Sequence, residues 1–425
     1  MKSQSVKAQA ALLTCVNALV RGLGFGLHVA LSRILGAEAL GVMELSHSAH
    51  MLSVAPVTAG LPAAVSRLTA VRGDAAALRA GRSLALRMSA ALIPLWLLLS
   101  PWTAHLLGDI RTLPPLLAFA PSVAVLGLTA VYSGYCYGLG DAWPPALATL
   151  TEQALRFLLS AGLLLLLPQL TLAGRAAIPA AAEALAGAAA LGLMALLLSR
   201  KGKPAPAPHA PGLRGDILRL SLPLTGTRLM QTLSRPLTAA LLPRLLISSG
   251  MAAGEATAAV GMLHGMVLPA LFLPGIFTSA LGMVGTPAIA RRQGTGVRRA
   301  ALQVLAASLA CGLMGWAAIR LAAGFLASAV YRLPALSGLF RAAAPMALLF
   351  SLQQAAGTLL NGLGQQKKTL LPAAVGTALS ILLMCRWASS PLGLYGAIYA
   401  MTVGRAVTLL WQLAAVLPAL EITAG

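Results

Sequence analysis

The sequence predicts an all-α polytopic membrane protein of about twelve transmembrane helices, arranged as two parallel six-helix bundles. Three observations predict it: an apolar, charge-poor composition, apolar runs that recur at bilayer length, and short motifs that recur in the two halves. Of 425 residues, 58% are hydrophobic and 10% charged, and the mean hydropathy is +0.83. A soluble domain carries about 25% charged residues, so water is not the main solvent of this surface. Lys and Arg number 31 against 10 Asp and Glu, a net charge of +21. In a soluble chain that balance points to nucleic acid. Here the basic residues lie between apolar runs, and only 5% of residues are aromatic, which leaves few stacking platforms for bases. A nucleic-acid partner is therefore not expected. Cys15, Cys136, Cys311 and Cys385 all fall inside apolar runs with no close ligand spacing, so they read as buried thiols.

A helix needs about 20 apolar residues to cross the hydrocarbon. On that ruler the first-half spans run near 8–32, 42–68, 83–107, 114–139, 143–168 and 176–199. The second-half spans run near 218–246, 257–289, 299–323, 335–362, 368–389 and 393–418. The opening MKSQSVKAQAALLTCVNALVRGLGFG has the outline of a signal peptide, but Arg21 interrupts its apolar run, so it reads as a retained first helix. Loop charges then set the orientation. One side holds Arg67, Arg72, Arg79 and Arg82, Arg200, Lys201, Lys203 and Arg214, Arg291, Arg292, Arg298 and Arg299, and Lys367 and Lys368. The other holds only Arg33, Arg111, Arg175 and Arg332. The positive-inside rule makes the first side, and both termini, cytoplasmic.

The segment RKGKPAPAPHAPGLRGD, 200–216, is basic and proline-rich, extended and unable to insert. It separates an N-terminal bundle, 1–199, from a C-terminal bundle, 217–425. The halves repeat. GLPAAVSR (60–67) is echoed by GTPAIARR (285–292), and GLG at 138–140 by GLG at 362–364. LTCVNALV…LSRIL in the first span matches LTGTRLMQ…LPRLL in the seventh. An even number of spans per half makes the repeat parallel.

The stretch RGLGFGLHVALSRILGAEALGVMELSHSAHMLSVAPVTAGLPAAVSRLTA (21–70) resembles the start of the stage V sporulation protein B group. That group belongs to the multidrug/oligosaccharidyl-lipid/polysaccharide exporter superfamily and is akin to the lipid II flippase MurJ. The resemblance rests on RxLGxxxxxxLSRxLGAExLG and GLPAAVSRL, and on YSGYCYGLGDAWPPALATLTEQALRF (132–157). It implies two bundles facing a central cavity, alternating access, a bacterial plasma-membrane location, and a polyprenyl-diphosphate-linked sugar as substrate. Members of the group often carry two further C-terminal helices, and this chain stops at Gly425.

Buried polar residues supply the candidate site. In TEQALRFLLSAGLLLLLP (151–168), Glu152 and Arg156 share one helix face. Arg156 lies roughly 20 Å into a helix that begins near Trp143, close to mid-membrane. Arg21, Arg228, Arg235 and Arg405 reach comparable depth, against the acids Glu44, Glu152 and Glu183. A lone mid-membrane arginine costs about 2.5–3.5 kcal/mol on insertion scales, so such residues face a partner or a wet cavity. A cationic lining suits a diphosphate, which arginine grips with paired hydrogen bonds. Glu152 and Arg156 read either as a packed pair or as part of this pathway, with Glu152 restraining Arg156 until an anion competes for it. Gln353, Gln354 and Asn361 either hydrogen-bond sugar hydroxyls or bridge helices. The expected substrate-binding set is therefore Arg21, Glu152, Arg156, Arg228, Arg235, Arg405, Gln353 and Asn361. Glu44, His47 and His50, at i, i+3 and i+6, spread over more than one face and read as a wetted helix end rather than a metal site.

The chain has no GxxxxGK[ST] loop and no carboxylate or histidine constellation on a sizeable loop. The expectation is a flippase of lipid-linked oligosaccharide or cell-wall precursor, not an enzyme, needing no cofactor or metal. Its partners are an anionic lipid-linked substrate, membrane lipids and cell-envelope synthesis enzymes. The alternative is a drug–cation antiporter on the same scaffold.

Overall fold

A computed structural model describes residues 6–200, 212–275, 278, 295–363, 365 and 367–422, and every regular element among them is helical. α1 (Val6–Thr58) carries the first span and opens the second. Its one break is Gly36, at φ 78° and ψ 173°, a conformation reached without strain only by a residue lacking Cβ. A straight helix would hold residues 28 and 44 roughly 24 Å apart. Their side chains instead meet at 3.6 Å, His28 Nδ1 to Glu44 Oε1, so the chain doubles back at Gly36.

α2 (Leu61–Arg72) completes the second span and α3 (Ala76–Leu107) forms the third. The fourth is α4 (Leu113–Ala118) and α5 (Ala120–Gly138), whose axes differ by 41°. Pro121 has no N–H to continue the ladder at that break, and the Trp96 indole donates across it to the Leu116 carbonyl at 2.8 Å. α6 (Trp143–Leu166) and α7 (Leu172–Arg200) follow. α8 (Leu213–Thr232) and α9 (Ser234–Ser248) make the seventh span. α10 (Ala253–Val260) passes through a π-helical stretch, Gly261–Val267, into α11 (Leu268–Leu271). The later helices are α12 (Thr295–Phe325), α13 (Leu336–Ala343), α14 (Pro345–Gly362), α15 (Lys367–Trp387) and α16 (Gly393–Ile422).

Among the described residues, eight helices are long and apolar enough to cross a membrane, or nine counting the bent pair. One of them, Thr14–Arg72, holds two predicted spans, so this set accounts for the first six spans and the ninth to twelfth. The seventh falls short of that apolarity, because Arg214, Arg219, Arg228, Arg235 and Arg244 interrupt it. The last part of the eighth span, the GTPAIARR repeat and most of the proline-rich linker lie outside the described residues.

The chain forms two compact units, Met1–Ala240 and Leu241–Gly425. Small residues let helices touch within each. In the first, a Cβ on Gly134 or Gly138 of α5 would collide with the backbone carbonyls of Pro62 and Ser66 on α2. In the second, Gly376 of α15 and Gly404 of α16 press on each other's backbone carbonyls. The thiols divide. Cys136 is buried as predicted, but Cys15 and Cys385 are exposed, since an apolar run presents one side of its helix to lipid.

Candidate functional site

The polar residues of the first unit gather around α1, which supplies most of them. Its second arm, residues 37–58, carries Glu44, His47 and His50 on successive turns. They are not a wetted helix end. Glu44 is 1% exposed and His50 0%, because α4, α5 and α7 pack around this arm. The His50 ring lies flat on Phe119, with centroids 4.4 Å apart and an interplanar angle of 9°. Its Nδ1 is 3.1 Å from Ser53 Oγ, and its Nε2 is 2.9 Å from Ser122 Oγ on α5.

Glu183, from the alanine-rich middle of α7, sits at the centre of this group and is 2% exposed. Its Oε2 lies 2.6 Å from an Arg156 Nη2 and 4.0 Å from His47 Nε2, and its Oε1 is 3.6 Å from His50 Nε2. Arg156 is therefore held across helices by Glu183. It makes no ion pair with Glu152, although the two share a helix face. The i, i+4 spacing allows that pair, but the closely packed α6 and α7 bring a fully buried carboxylate nearer, and Glu183 has greater need of a counter-charge.

A second group lies on the same arm of α1. Arg235 of α9 donates to Glu44 Oε2 at 2.9 Å while remaining 43% exposed, and His28 closes on the other oxygen of Glu44. Of the remaining predicted residues in this unit, Arg21 is partly buried and Arg228 is exposed. Near Gly36, Arg111 binds both Asp109 and Glu38, the latter at 2.7 Å, and Arg175 donates to the Ile34 carbonyl at the end of the first arm. Those arginines are structural clasps.

In the second unit Arg405 is built differently. Its guanidinium lies 5.8 Å from the ring centre of Phe272 and 5.9 Å from that of Phe350. An Nη1 reaches Gln353 Oε1 at 3.3 Å, and the Gln353 amide donates back to the Arg405 carbonyl at 2.8 Å. No carboxylate lies within 4 Å of Arg405 among the described residues. Gln354 accepts from Thr278 at 3.1 Å, and Asn361 is exposed at the end of α14. The site residues that sequence reasoning missed are Ser53, Ser122 and the central role of Glu183. The serines carry no signal of their own, and Glu183 appears in the sequence as one acid in a run of alanines.

Stage V sporulation protein B of Bacillus subtilis (strain 168) is 27% identical over 450 aligned positions, covering all of this chain and 86% of that protein. Among solved structures, an inward-facing multidrug resistance MATE family transporter of the MOP superfamily superposes with a TM-score of 0.68 at 19% identity. That match covers 98% of this chain and 100% of that one. The MATE multidrug transporter DinF-BH gives 0.73 at 15% identity, covering 99% and 98%. A MOP superfamily transporter from Pyrococcus furiosus, described as having a binding pocket of reverse polarity, gives 0.66 at 17%, covering 99% and 97%. At such identities the likeness is one of fold, the twelve-helix, two-lobe fold of MATE-type membrane transporters. Residues 6–293 match the family described as polysaccharide biosynthesis protein, well over half of the sequence. This chain belongs to that polysaccharide biosynthesis family of multi-pass membrane proteins.

Proposed function

We propose that this protein moves a lipid-linked oligosaccharide or cell-wall precursor, a polyprenyl-diphosphate sugar, from the inner to the outer leaflet by alternating access. One observation carries the reading. A chain of the polysaccharide biosynthesis family keeps, inside a membrane span, an arginine that no carboxylate among the described residues neutralises. Two phenyl faces and one amide oxygen stabilise the Arg405 guanidinium only partly, and a diphosphate supplies the missing negative charge through paired hydrogen bonds. Gln353, already turned toward Arg405, orients it. Within the first unit, Arg156 and Arg235 are held in reserve by Glu183 and Glu44 and are released when an anion competes with those acids. Arg21, Arg228 and Glu152 extend the polar set of the first unit, and Asn361 extends that of the second. The protein sits in the bacterial plasma membrane with both termini cytoplasmic and performs no covalent chemistry.

Cation antiport on the same fold is the weaker reading. Glu44 and Glu183 each face an arginine, and an organic cation would meet that arginine first.

The test is chemical. Lipid extracted with the purified protein and identified by mass spectrometry should contain a polyprenyl-diphosphate species. Reconstituted protein should shift that lipid between leaflets, and Arg405→Ala should stop the shift. Protein that carries no such lipid and moves none overturns the proposal.

A further inference from the structure

We propose that His50, with His47, Glu183 and Arg156 around it, forms a proton-binding site in the first unit, and that the bound proton decides whether Arg156 is free to meet an anion. The second half of this inference rests on the function proposed above; the first half does not.

His50 is surrounded by groups that suit either of its protonation states. In the neutral ring with its proton on Nε2, that N–H donates to Ser122 Oγ at 2.9 Å, while the serine hydroxyl donates to the Phe119 carbonyl at 2.7 Å. Ser53 then donates to Nδ1 at 3.1 Å. When a proton arrives, Nδ1 becomes a donor. Ser53 turns its hydroxyl to the His50 carbonyl, 2.8 Å away, and accepts instead. No hydrogen bond is lost in the exchange. The imidazolium also gains the face of Phe119 and the carboxylate of Glu183. A histidine that only filled the core would need one hydroxyl with one fixed direction; this one has two, each with an alternative acceptor.

The charged and titratable groups facing the site come from several helices. α1 contributes His47, α6 contributes Arg156 and Glu152, and α7 contributes Glu183, with Arg235 beyond them. With both imidazoles neutral, Arg156 is the cation that holds Glu183. A protonated His50 makes two cations share one carboxylate. The hold on Arg156 weakens, the site gains one positive charge, and an anion is favoured there. Buried histidine–carboxylate chains in membrane helices are the usual carriers of protons.

Two measurements on the full-length protein in lipid nanodiscs test the proposal. The first is the ring titration of histidines labelled with carbon-13, with His50→Gln and His47→Gln for assignment. The His50 ring signals should move between their neutral and imidazolium positions across the pH range in which the protein stays folded. A ring that does not titrate there sinks the proton site, whatever the substrate is. The second is calorimetric binding of inorganic pyrophosphate. Affinity should fall as pH rises, by up to about tenfold per pH unit, the limit for one linked proton. His50→Gln, which keeps an amide for the two serines, should flatten that slope. Glu183→Gln should bind tightly at both ends of the range, because nothing restrains Arg156. A slope that survives both His50→Gln and His47→Gln overturns the assignment. Pyrophosphate that binds at no pH refutes the anion half together with the diphosphate reading, and the ring titration then decides the proton half alone. Should His50→Gln fail to fold, the wild-type titration assigned with His47→Gln decides the same question.

Discussion

Removing the Arg156 side chain leaves the Glu183 carboxylate facing two imidazoles in place of a fixed cation, in a site where it is 2% exposed. Breaking a buried pair from one side costs about 3–5 kcal/mol. Arg156→Ala should therefore lower the melting temperature in detergent and reduce expression. The double change Arg156→Met with Glu183→Leu should restore folding, since two apolar groups of similar size need no counter-charge. It should not restore leaflet transfer. An active double mutant would reduce the pair to packing and remove Arg156 from the substrate pathway. At the membrane surface, Asp74 offers a simpler test. Burial pushes its carboxyl up, but hydrogen bonds from the Arg72 guanidinium and the Ala76 N–H at the start of α3 outweigh that and hold it below its ordinary value. A depressed folded-state pKa contributes stability above the ordinary carboxylate range and loses it as pH falls through the depressed value. Asp74→Ala should cost about 1 kcal/mol at neutral pH. The gap to wild type should close in acid, and a gap that stays constant down to about pH 3 would refute the account.

Helix contacts in this chain depend on residues with no side chain. Gly134→Ala should destabilise by about 1–3 kcal/mol, because its Cβ would collide with the Pro62 carbonyl and two packed helices must part to relieve it. Gly162→Ala is the control. A Cβ there would meet no described atom within 4 Å, and alanine favours helix, so its melting temperature should hold or rise. Equal effects at the two positions would disprove the close crossing of α5 and α2. The spans themselves are legible in the sequence, because an apolar run of bilayer length leaves its backbone no partner except itself. What joins them is less so. Glu152 is one turn from Arg156 in sequence, and local spacing favours it. Glu183 reaches Arg156 only because Ala180, Ala182, Ala186 and Gly187 let α7 pack in closely among its neighbours. The same holds for His50, whose i, i+3, i+6 neighbours suggest a wet surface until Phe119 and Ser122 arrive from the bent fourth span. That bend was not legible either, for Pro121 alone does not say which way α4 turns.

For the molecule as a whole, the arginines sort by what they meet. Those near Gly36 are tied down by Asp109, Glu38 and a helix-end carbonyl, whereas the positive-inside rule gives those of the four predicted cytoplasmic loops the task of orienting the chain, and labelling tests it. A cysteine at Ala207 should be shielded from impermeant thiol reagents in intact cells. One at Leu170, exposed between α6 and α7, should be labelled, in a background where Cys15 and Cys385 are replaced. The reverse pattern would invert the orientation and, with it, the direction of transport. The compact units divide at Ala240, so the helices of the seventh predicted span, up to that residue, pack with the first six spans. Arg235 and Glu44 therefore belong to one unit.

The doubling back at Gly36 also bears on how the chain is made. A first span carrying Arg21 and His28, and a second carrying Glu44, would each be expensive to hand to lipid alone. A turn of one residue leaves no loop to separate their arrival, so the ribosome delivers both arms to the membrane as a single hairpin. His28 and Glu44 can then meet before any later helix exists, which masks the acid during insertion. Replacing Gly36 with a β-branched residue such as valine should consequently show itself first in nascent chains, as failed integration of the first two spans in a translation-coupled insertion assay. If integration is normal and only the finished protein is unstable, the hairpin is closed later, by Arg235 and the helices that bring it.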